Sequence, residues 1–143
     1  MPTANPEAAV QARLVAQIAT LKAPTKNDPP FDGNCILGPL RGADVGDPRL
    51  CVFVHPTGGR DHYRLLGSSS DVKNASVQVL VRGDQYAFDT GLALARSCIA
   101  ALHAAALTGY IYCLVREPEP QYVSFDGEAQ HVWSFNVELL RIT

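Results

Sequence analysis

The stretch ASVQVLVRGDQYAFD, residues 75–89, changes its hydrophobic period part-way along and decides the fold. Val77, Val79 and Val81 alternate with residues of the opposite face, which is typical of a strand with one buried side. Gly83 interrupts the alternation, and the carboxylate of Asp84 can accept the free N–H groups of a following helix. The stretch therefore predicts a strand over 76–82 and a helix over about 85–105.

Patterns on both sides of this stretch complete an α+β domain. A first helix follows Asn5-Pro6, and its apolar stripe predicts that it continues to Ala23-Pro24. The stripe consists of Val10, Leu14, Ile18 and Leu21. The further predicted strands cover 35–37, 50–54, 110–116, 121–125 and 131–140, the second of them stopped by Pro56-Thr57-Gly58-Gly59. This order predicts one domain over 1–143, with a mainly antiparallel, mixed sheet and two helices packed on one face.

The core is predicted from the faces of these elements. In the last strand Trp133, Phe135, Val137 and Leu139 point one way, and Asp126-Gly127 fits a tight hairpin turn before it. The face expected for the second helix consists of Phe88, Leu92, Ala95, Ile99 and Leu102, with Leu94, Cys98 and Ala101 widening it. We therefore expect Trp133 and Phe135 to be buried with Leu102 and with Val79 or Val81.

Composition excludes several classes of protein. The chain has 143 residues and a formal charge of −2, which gives no general attraction to nucleic acid or to an anionic membrane. No apolar run reaches the length of a membrane span, and residues 1–7 lack the features of a secretion signal. These features predict a protein that is made and folded in a cytosol.

No catalytic, cofactor or metal site is predicted. The chain has no GxSxG motif, and the segment Pro56–Arg60 lacks the ending of a phosphate-binding loop. His55, Asp61 and His62 could hold a transition metal, but solvated loop residues are the favoured interpretation. The four cysteines, at 35, 51, 98 and 113, form no CxxC pair and are interpreted as buried free thiols.

Aromatic residues and polar loops provide candidates for an interface. Tyr110 and Tyr112 are predicted to share one strand face, which lies exposed unless another subunit covers it. The segments 24–34 and 56–74 are predicted loops, the second of them too polar to join a core. Within the second, an edge strand formed by Tyr63, Leu65 and Leu66 is the alternative. The interface candidates are Gly58, Gly59, Arg60, Arg64, Tyr110, Tyr112, Tyr122 and Phe125.

The order of these segments resembles a family of proteins. Strand VQVLVRG at 77–83 precedes Tyr86 and an alanine-rich helix, then come Tyr110-Ile111, a proline-rich break and PQYV at 120–123. A hairpin with Asp126-Gly127-Glu128 and the strand HVWSFNVE at 131–138 follow. Over about residues 5–142 this order resembles the tail terminator and minor capsid proteins of long-tailed bacteriophages and related tail-like particles.

The resemblance implies a structural virion protein without catalysis or cofactor. Such a subunit is expected to form a ring, typically hexameric, that caps the tail tube, stops its polymerisation and joins the tail to the head connector. Its partners would be its own copies, the tail tube protein and the connector or neck protein, while DNA passes through the lumen without specific binding. It would be assembled in the host cytoplasm and lie at the head-proximal end of the tail. The alternatives are a neck or head-completion protein, a cytosolic binding module, and a small hydrolase or ligand-binding domain.

Overall fold

Two long antiparallel strands form the centre of the sheet in a computed structural model, which describes residues 5–26, 31–38, 50–59, 63–64, 71–84, 86–125 and 131–142. In chain order the elements are α1 (Pro6–Gln17), β1 (Cys35–Leu37), β2 (Cys51–Gly59), β3 (Tyr63–Arg64), β4 (Asp71–Gly83), α2 (Phe88–Leu102), β5 (Tyr112–Val115), β6 (Gln121–Phe125) and β7 (His131–Ile142). Strands β4 and β7 pair continuously from Val72 opposite Ile142 to Gly83 opposite His131.

Shorter strands flank this central pair on both sides. Strand β2 pairs antiparallel with β4, and β1 pairs parallel with β2, so the sheet is mixed. The short β3 pairs with the start of β4. On the other side, β5 and β6 follow one another along β7, β5 opposite residues 137–140 and β6 opposite residues 131–134. The described strands therefore form one sheet with the order β1-β2-β4-β7-β5.

Both helices cover the same face of the sheet, which confirms the predicted α+β class. The main core consists of Val10 and Leu14 from α1, Leu94, Ala95, Cys98 and Leu102 from α2, and the inward residues of the strands. Trp133, Phe135, Leu102, Val79 and Val81 are buried together there, as predicted. A smaller apolar cluster lies on the opposite face, where Phe31 and Leu80 pack against Ile36, Cys51 and Phe53.

Helix α1 ends at Gln17 and not at Ala23-Pro24, so this predicted end is wrong. Ile18 is extended, with φ −118° and ψ 110°. The chain leaves the helix because the backbone of Lys22 is used elsewhere: its N–H donates to Asn34 Oδ1, and its carbonyl accepts from the N–H groups of Asn34 and Cys35. These bonds hold Asn34 and Cys35 against the segment that follows the helix, in which Leu21 is still buried.

Helix α2 is shorter than predicted at both ends. Asp84 forms a turn ahead of it, with its carboxylate accepting from Tyr86 N at 3.1 Å and its carbonyl accepting from Ala87 N at 3.0 Å. The helix ends at Leu102 because the next residues turn towards β5, where Ala104 N donates to the carbonyl of Cys113. Its buried residues are Gly91, Leu94, Ala95, Cys98 and Leu102, so the face is rotated from the predicted one and Phe88 lies at its margin.

Strand β2 continues through Pro56–Gly59, which were predicted to stop it. The strand tolerates Pro56 because β1 pairs only with residues 52–54 of β2, so the missing N–H of proline breaks no bond there. A register shift between Pro56 and Gly58 absorbs one residue before Gly59 pairs with Ala75. The predicted loop over 56–74 is therefore strand at 56–59, at 63–64 and at 71–74.

Candidate assembly surface

Four aromatic rings meet where α2 begins, and we call Phe88, Tyr122, His131 and Trp133 the aromatic cluster. Phe88 lies at the centre, with its ring centroid 5.1 Å from that of His131 and 5.2 Å from that of Trp133, both edge-on. The ring of Tyr122 lies 5.7 Å from both His131 and Trp133. Edge-to-face contacts of this kind are favourable beyond the apolar area that they bury.

The cluster extends from the core to the surface. Trp133 and His131 are buried, whereas Phe88 is 42% and Tyr122 43% exposed. The Tyr122 hydroxyl and His131 Nδ1 are joined by a hydrogen bond of 2.8 Å, which fixes both rings. Next to the cluster, Tyr86 is 89% exposed and stands at the turn before α2. The molecule therefore presents a rigid aromatic patch to solvent, a composition that is enriched in protein interfaces.

The aromatic patch borders an open edge of the sheet. Strand β6 pairs with β7 on one side, and no described strand pairs with its other side. Gln121, Tyr122 and Val123 are all exposed along it. An edge strand with unpaired N–H and C=O groups is a template for pairing with another chain. Backbone donors and exposed aromatic rings therefore lie side by side on this part of the molecule.

Polar contacts fix the segment that connects β5 to β6. Glu117 holds Asn136 with both carboxylate oxygens, which accept from Asn136 N at 2.8 Å and from Asn136 Nδ2 at 2.9 Å. Arg96 Nε donates to Glu119 at 3.0 Å, and this pair is exposed. Because the connection is held at these points, β6 is positioned against β7 although Pro118 and Pro120 precede it.

The two predicted interface tyrosines at the start of β5 do not share a face, so that prediction is wrong. Tyr110 precedes the strand and packs against the main core on the helix side. Tyr112 alternates with the buried Cys113 and pairs with Leu140, which places it on the opposite face. The strand begins only at Tyr112, so the alternation that was expected to align the two residues is absent.

The remaining candidates divide between the two flanks of the sheet. Gly58 and Gly59 are exposed in β2, and Arg64 lies in β3, on the flank opposite to the aromatic patch. Phe125 pairs with His131 in β6, so it belongs to the open edge together with Tyr122. The side chains of Arg64 and Phe125 lie outside the described part of the chain, as does Arg60 entirely. Of the predicted interface candidates, Tyr122 and Phe125 therefore lie in β6 beside the aromatic patch, whereas Tyr86, Phe88 and His131 were not among the candidates.

The aromatic positions in the sequence contain a signal for Tyr86, Phe88 and His131. Tyr86 and Phe88 follow the end of one long strand, and His131 begins the strand that pairs with it. In an antiparallel pair these two ends lie together, so the pairing of β4 with β7 brings Phe88 and His131 to the same end of the sheet. Tyr86 lies in the turn just before Phe88.

Concave regions elsewhere on the described part of the chain include a groove and a smaller pocket. A groove of about 510 Å³ lies between the end of α2 and residues 115–118, where His103 Nδ1 accepts from Val115 N at 3.3 Å. A smaller pocket of about 170 Å³ on the other face is lined by Asn74, Ser76 and Glu138, among others. Among the described residues no group of three or more His, Cys, Asp or Glu side chains could hold a metal ion, and Asp61 and His62 lie outside them.

The four cysteines are free and buried, as predicted. Burial raises the pKa of Cys35 to about 12 and that of Cys113 to about 11, and it also raises the pKa of Cys98. A thiol in this state is protonated at neutral pH and is a poor nucleophile or metal ligand. Cys35, Cys98 and Cys113 therefore contribute to the main core as small apolar side chains, and Cys51 to the smaller cluster.

Comparison with protein-family models and with curated proteins gave no match to this chain. In the part of the chain that the structure describes, no helix is both long and apolar enough to cross a membrane.

Proposed function

We propose that this chain is the tail terminator of a long-tailed bacteriophage or a related tail-like particle. It forms a ring, of six copies by the resemblance, that caps the tail tube, stops its polymerisation and joins the tail to the head connector. The observation that carries the proposal is the open β6 edge bordered by the half-exposed aromatic cluster. A single-sheet subunit with an exposed aromatic edge is suited to repeated side-by-side assembly.

The net charge of the chain and the order of its helices and strands also support a structural role. The chain carries a net charge of −2, so a ring built from it would let DNA pass without binding its phosphates tightly. The element order of helix, strands, helix and strands, with β6 and β7 as the closing strands, agrees with the order on which the resemblance rests.

The proposal is tested by removing the gene from its phage or particle and measuring tails by electron microscopy. We expect tails of excess or variable length that lack heads. Supplying the wild-type chain should restore uniform tails, whereas Tyr86→Ala should restore them poorly without lowering the melting temperature. Ser97→Ala, at an exposed position of α2 far from the patch, is the matched control and should restore tails fully.

Three outcomes would contradict the terminator role. Tails of normal length in the absence of the chain would overturn it. Headless tails of normal length together with completed, DNA-filled heads would instead favour a neck or head-completion protein. Hydrolytic activity that depends on His55 or His103 would favour the enzyme alternative.

A further inference from the structure

The two ends of the central β4–β7 pair differ in chemical character. The aromatic end, beside the Gly83–His131 pair, is defined here by Asp84, Tyr86, Phe88, Asp89 and Tyr122. The basic end, beside the Val72–Ile142 pair, is defined by Lys73, Tyr110, Ile111, Arg141 and Ile142. Each end combines exposed apolar side chains with charged ones. The aromatic end has Asp84 and Asp89, and the basic end has the facing cations Lys73 and Arg141, with Glu7 and Asp71 nearby.

The aromatic end has the chemistry of a receptor for a cation. Phe88 and Tyr122 are both half-exposed, and their rings are fixed by the buried Trp133 and His131. Asp89 follows Phe88 directly in the first turn of α2 and is exposed. An aromatic face next to a carboxylate attracts a guanidinium or ammonium group through both the ring quadrupole and the negative charge.

The basic end supplies such cations in an arrangement that is unfavourable within one molecule. Lys73 and Arg141 are direct cross-strand partners on the same face, and like charges in that position destabilise a sheet. Neither forms an ion pair with a described residue, although the Arg141 guanidinium lies 5.8 Å from the centre of the Tyr110 ring. Glu7 and Asp71 also lie at this end. Burial raises the pKa of Tyr110; the Arg141 charge opposes that rise and the Glu7 charge adds to it.

One molecule cannot bring its own two ends together. The β4–β7 ladder comprises twelve opposed residue pairs. At roughly 3.4 Å per residue along a strand, its two ends lie about 37 Å apart. The exposed Ile111 and Ile142 beside the basic end provide apolar surface that can contact the aromatic rings of a different molecule. An interface between two different patches is heterologous, and repeating it generates a ring or a filament.

We infer that the aromatic end of one copy binds the basic end of the next copy, with Asp89, Phe88 and Tyr122 receiving Lys73 and Arg141. This inference rests on the proposed ring and names the surfaces that would join its subunits. The occupant is a second copy of this chain, because the chain itself carries the complementary charge and apolar residues at the opposite end of the same strands.

Charge exchange in the full chain tests the contact. Association of the purified protein is measured by sedimentation velocity at low and moderate salt, over a range of concentrations up to millimolar. We expect the wild-type chain to associate, and Asp89→Lys or Arg141→Glu alone to weaken association at least tenfold. The double variant Asp89→Lys/Arg141→Glu should recover to within about threefold of wild type, because the two exchanged charges attract one another across the contact between neighbouring copies. Lys73→Glu replaces Arg141→Glu if the latter lowers the melting temperature.

The outcomes separate this inference from the proposed function. A wild-type chain that remains monomeric at every concentration, single variants that associate normally, or a double variant no better than the singles would each overturn the docking of the two ends. The gene-deletion experiment measures tail length independently, so the terminator role could still hold if this contact were disproved. Conversely, tails of normal length without the gene would overturn the terminator role. A charge-exchange rescue would still show that the two ends of neighbouring copies bind one another.

Discussion

Gly91 of helix α2 lies directly against the indole of Trp133, and its missing side chain makes the space that the indole occupies. A Cβ built on Gly91 would lie only 2.8 Å from Cη2 of Trp133, and one built on Gly83 would lie 3.3 Å from its Cζ3. Trp133 can therefore fill the space between the start of α2 and the end of β4. This close approach places Phe88 and Tyr122 over the tryptophan and forms the aromatic cluster.

Gly91→Ala is expected to destabilise the fold although it lies in a helix. Alanine normally favours a helix over glycine by about 1 kcal/mol, but here its methyl group overlaps the indole. We expect a net loss of about 1–3 kcal/mol, the usual cost of overpacking a core. Chemical denaturation followed by tryptophan fluorescence measures it. Ser97→Ala, exposed in the same helix, is the control and should leave stability within about 0.5 kcal/mol. A more stable Gly91→Ala would show that the indole is free to move aside.

Trp133→Ala removes the largest side chain of the main core. Because Trp133 is 1% exposed and packs with residues of β4 and α2, we expect a loss of about 3–5 kcal/mol in the free energy of unfolding. Circular dichroism during urea denaturation measures it. Tyr86→Ala, at an almost fully exposed aromatic residue, should change stability by less than about 0.5 kcal/mol. A loss under about 1 kcal/mol for Trp133→Ala would place the ring outside the core.

The sequence predicted the elements whose hydrophobic period is unambiguous. The bounds of β1 and β6 agree with the prediction, and the alternation of Val77, Val79 and Val81 identified the buried face of β4. Periodicity depends on the chain alone, and a face that is buried by one core imposes it directly. The α+β class could be predicted because the strongly apolar faces of the long strands lie on one side of the sheet, which both helices cover.

The elements that differ from prediction are those whose ends depend on distant residues. The end of α1 is decided by hydrogen bonds from Lys22 to Asn34, and the extension of β2 by pairing of Gly58 and Gly59 with β4. The positions of Tyr110 and Tyr112 depend on where β5 begins to pair with β7. Local propensity contains no information on these partners, so the candidate surface could be predicted only in part.

The thiols are expected to be unreactive in the folded protein. All four cysteines are buried, and burial raises the pKa of Cys35 to about 12 and of Cys113 to about 11, so the reactive thiolate is scarce at pH 8. Ellman's reagent should detect almost no thiol in native protein and all four in denaturant. Ser97→Cys, which adds an exposed thiol, should react rapidly once per chain. Fast labelling of the native wild-type chain would contradict the burial of the cysteines.

Stability is expected to fall as the pH rises above about 9. The pKa of Cys35 is raised by burial from 9.0 to about 12, so above pH 9 the unfolded chain releases a proton that the folded chain retains. The stabilisation from the protonated thiol is complete below pH 9 and is lost as the pH rises towards 12, at up to about 1.4 kcal/mol per pH unit for one such thiol. Urea denaturation between pH 8 and 11 measures the slope. Cys35→Ala should give a shallower slope, and an equal slope in both proteins would assign the effect to other groups.

Gly58 and Gly59 offer a matched pair of substitutions in β2. Both have positive φ, 89° and 131°, but a Cβ at Gly58 meets nothing within 4 Å. A Cβ at Gly59 overlaps the carbonyl oxygen of Asn74, which belongs to the neighbouring β4 and cannot move without breaking the sheet. We expect Gly58→Ala to cost about 1 kcal/mol for its backbone conformation alone. Gly59→Ala should cost about 3 kcal/mol, at the upper end of the range for backbone strain. Denaturation of both variants in parallel measures the difference, and equal losses would show that β2 separates from β4 beyond Pro56, so that residues 56–59 form the start of a loop.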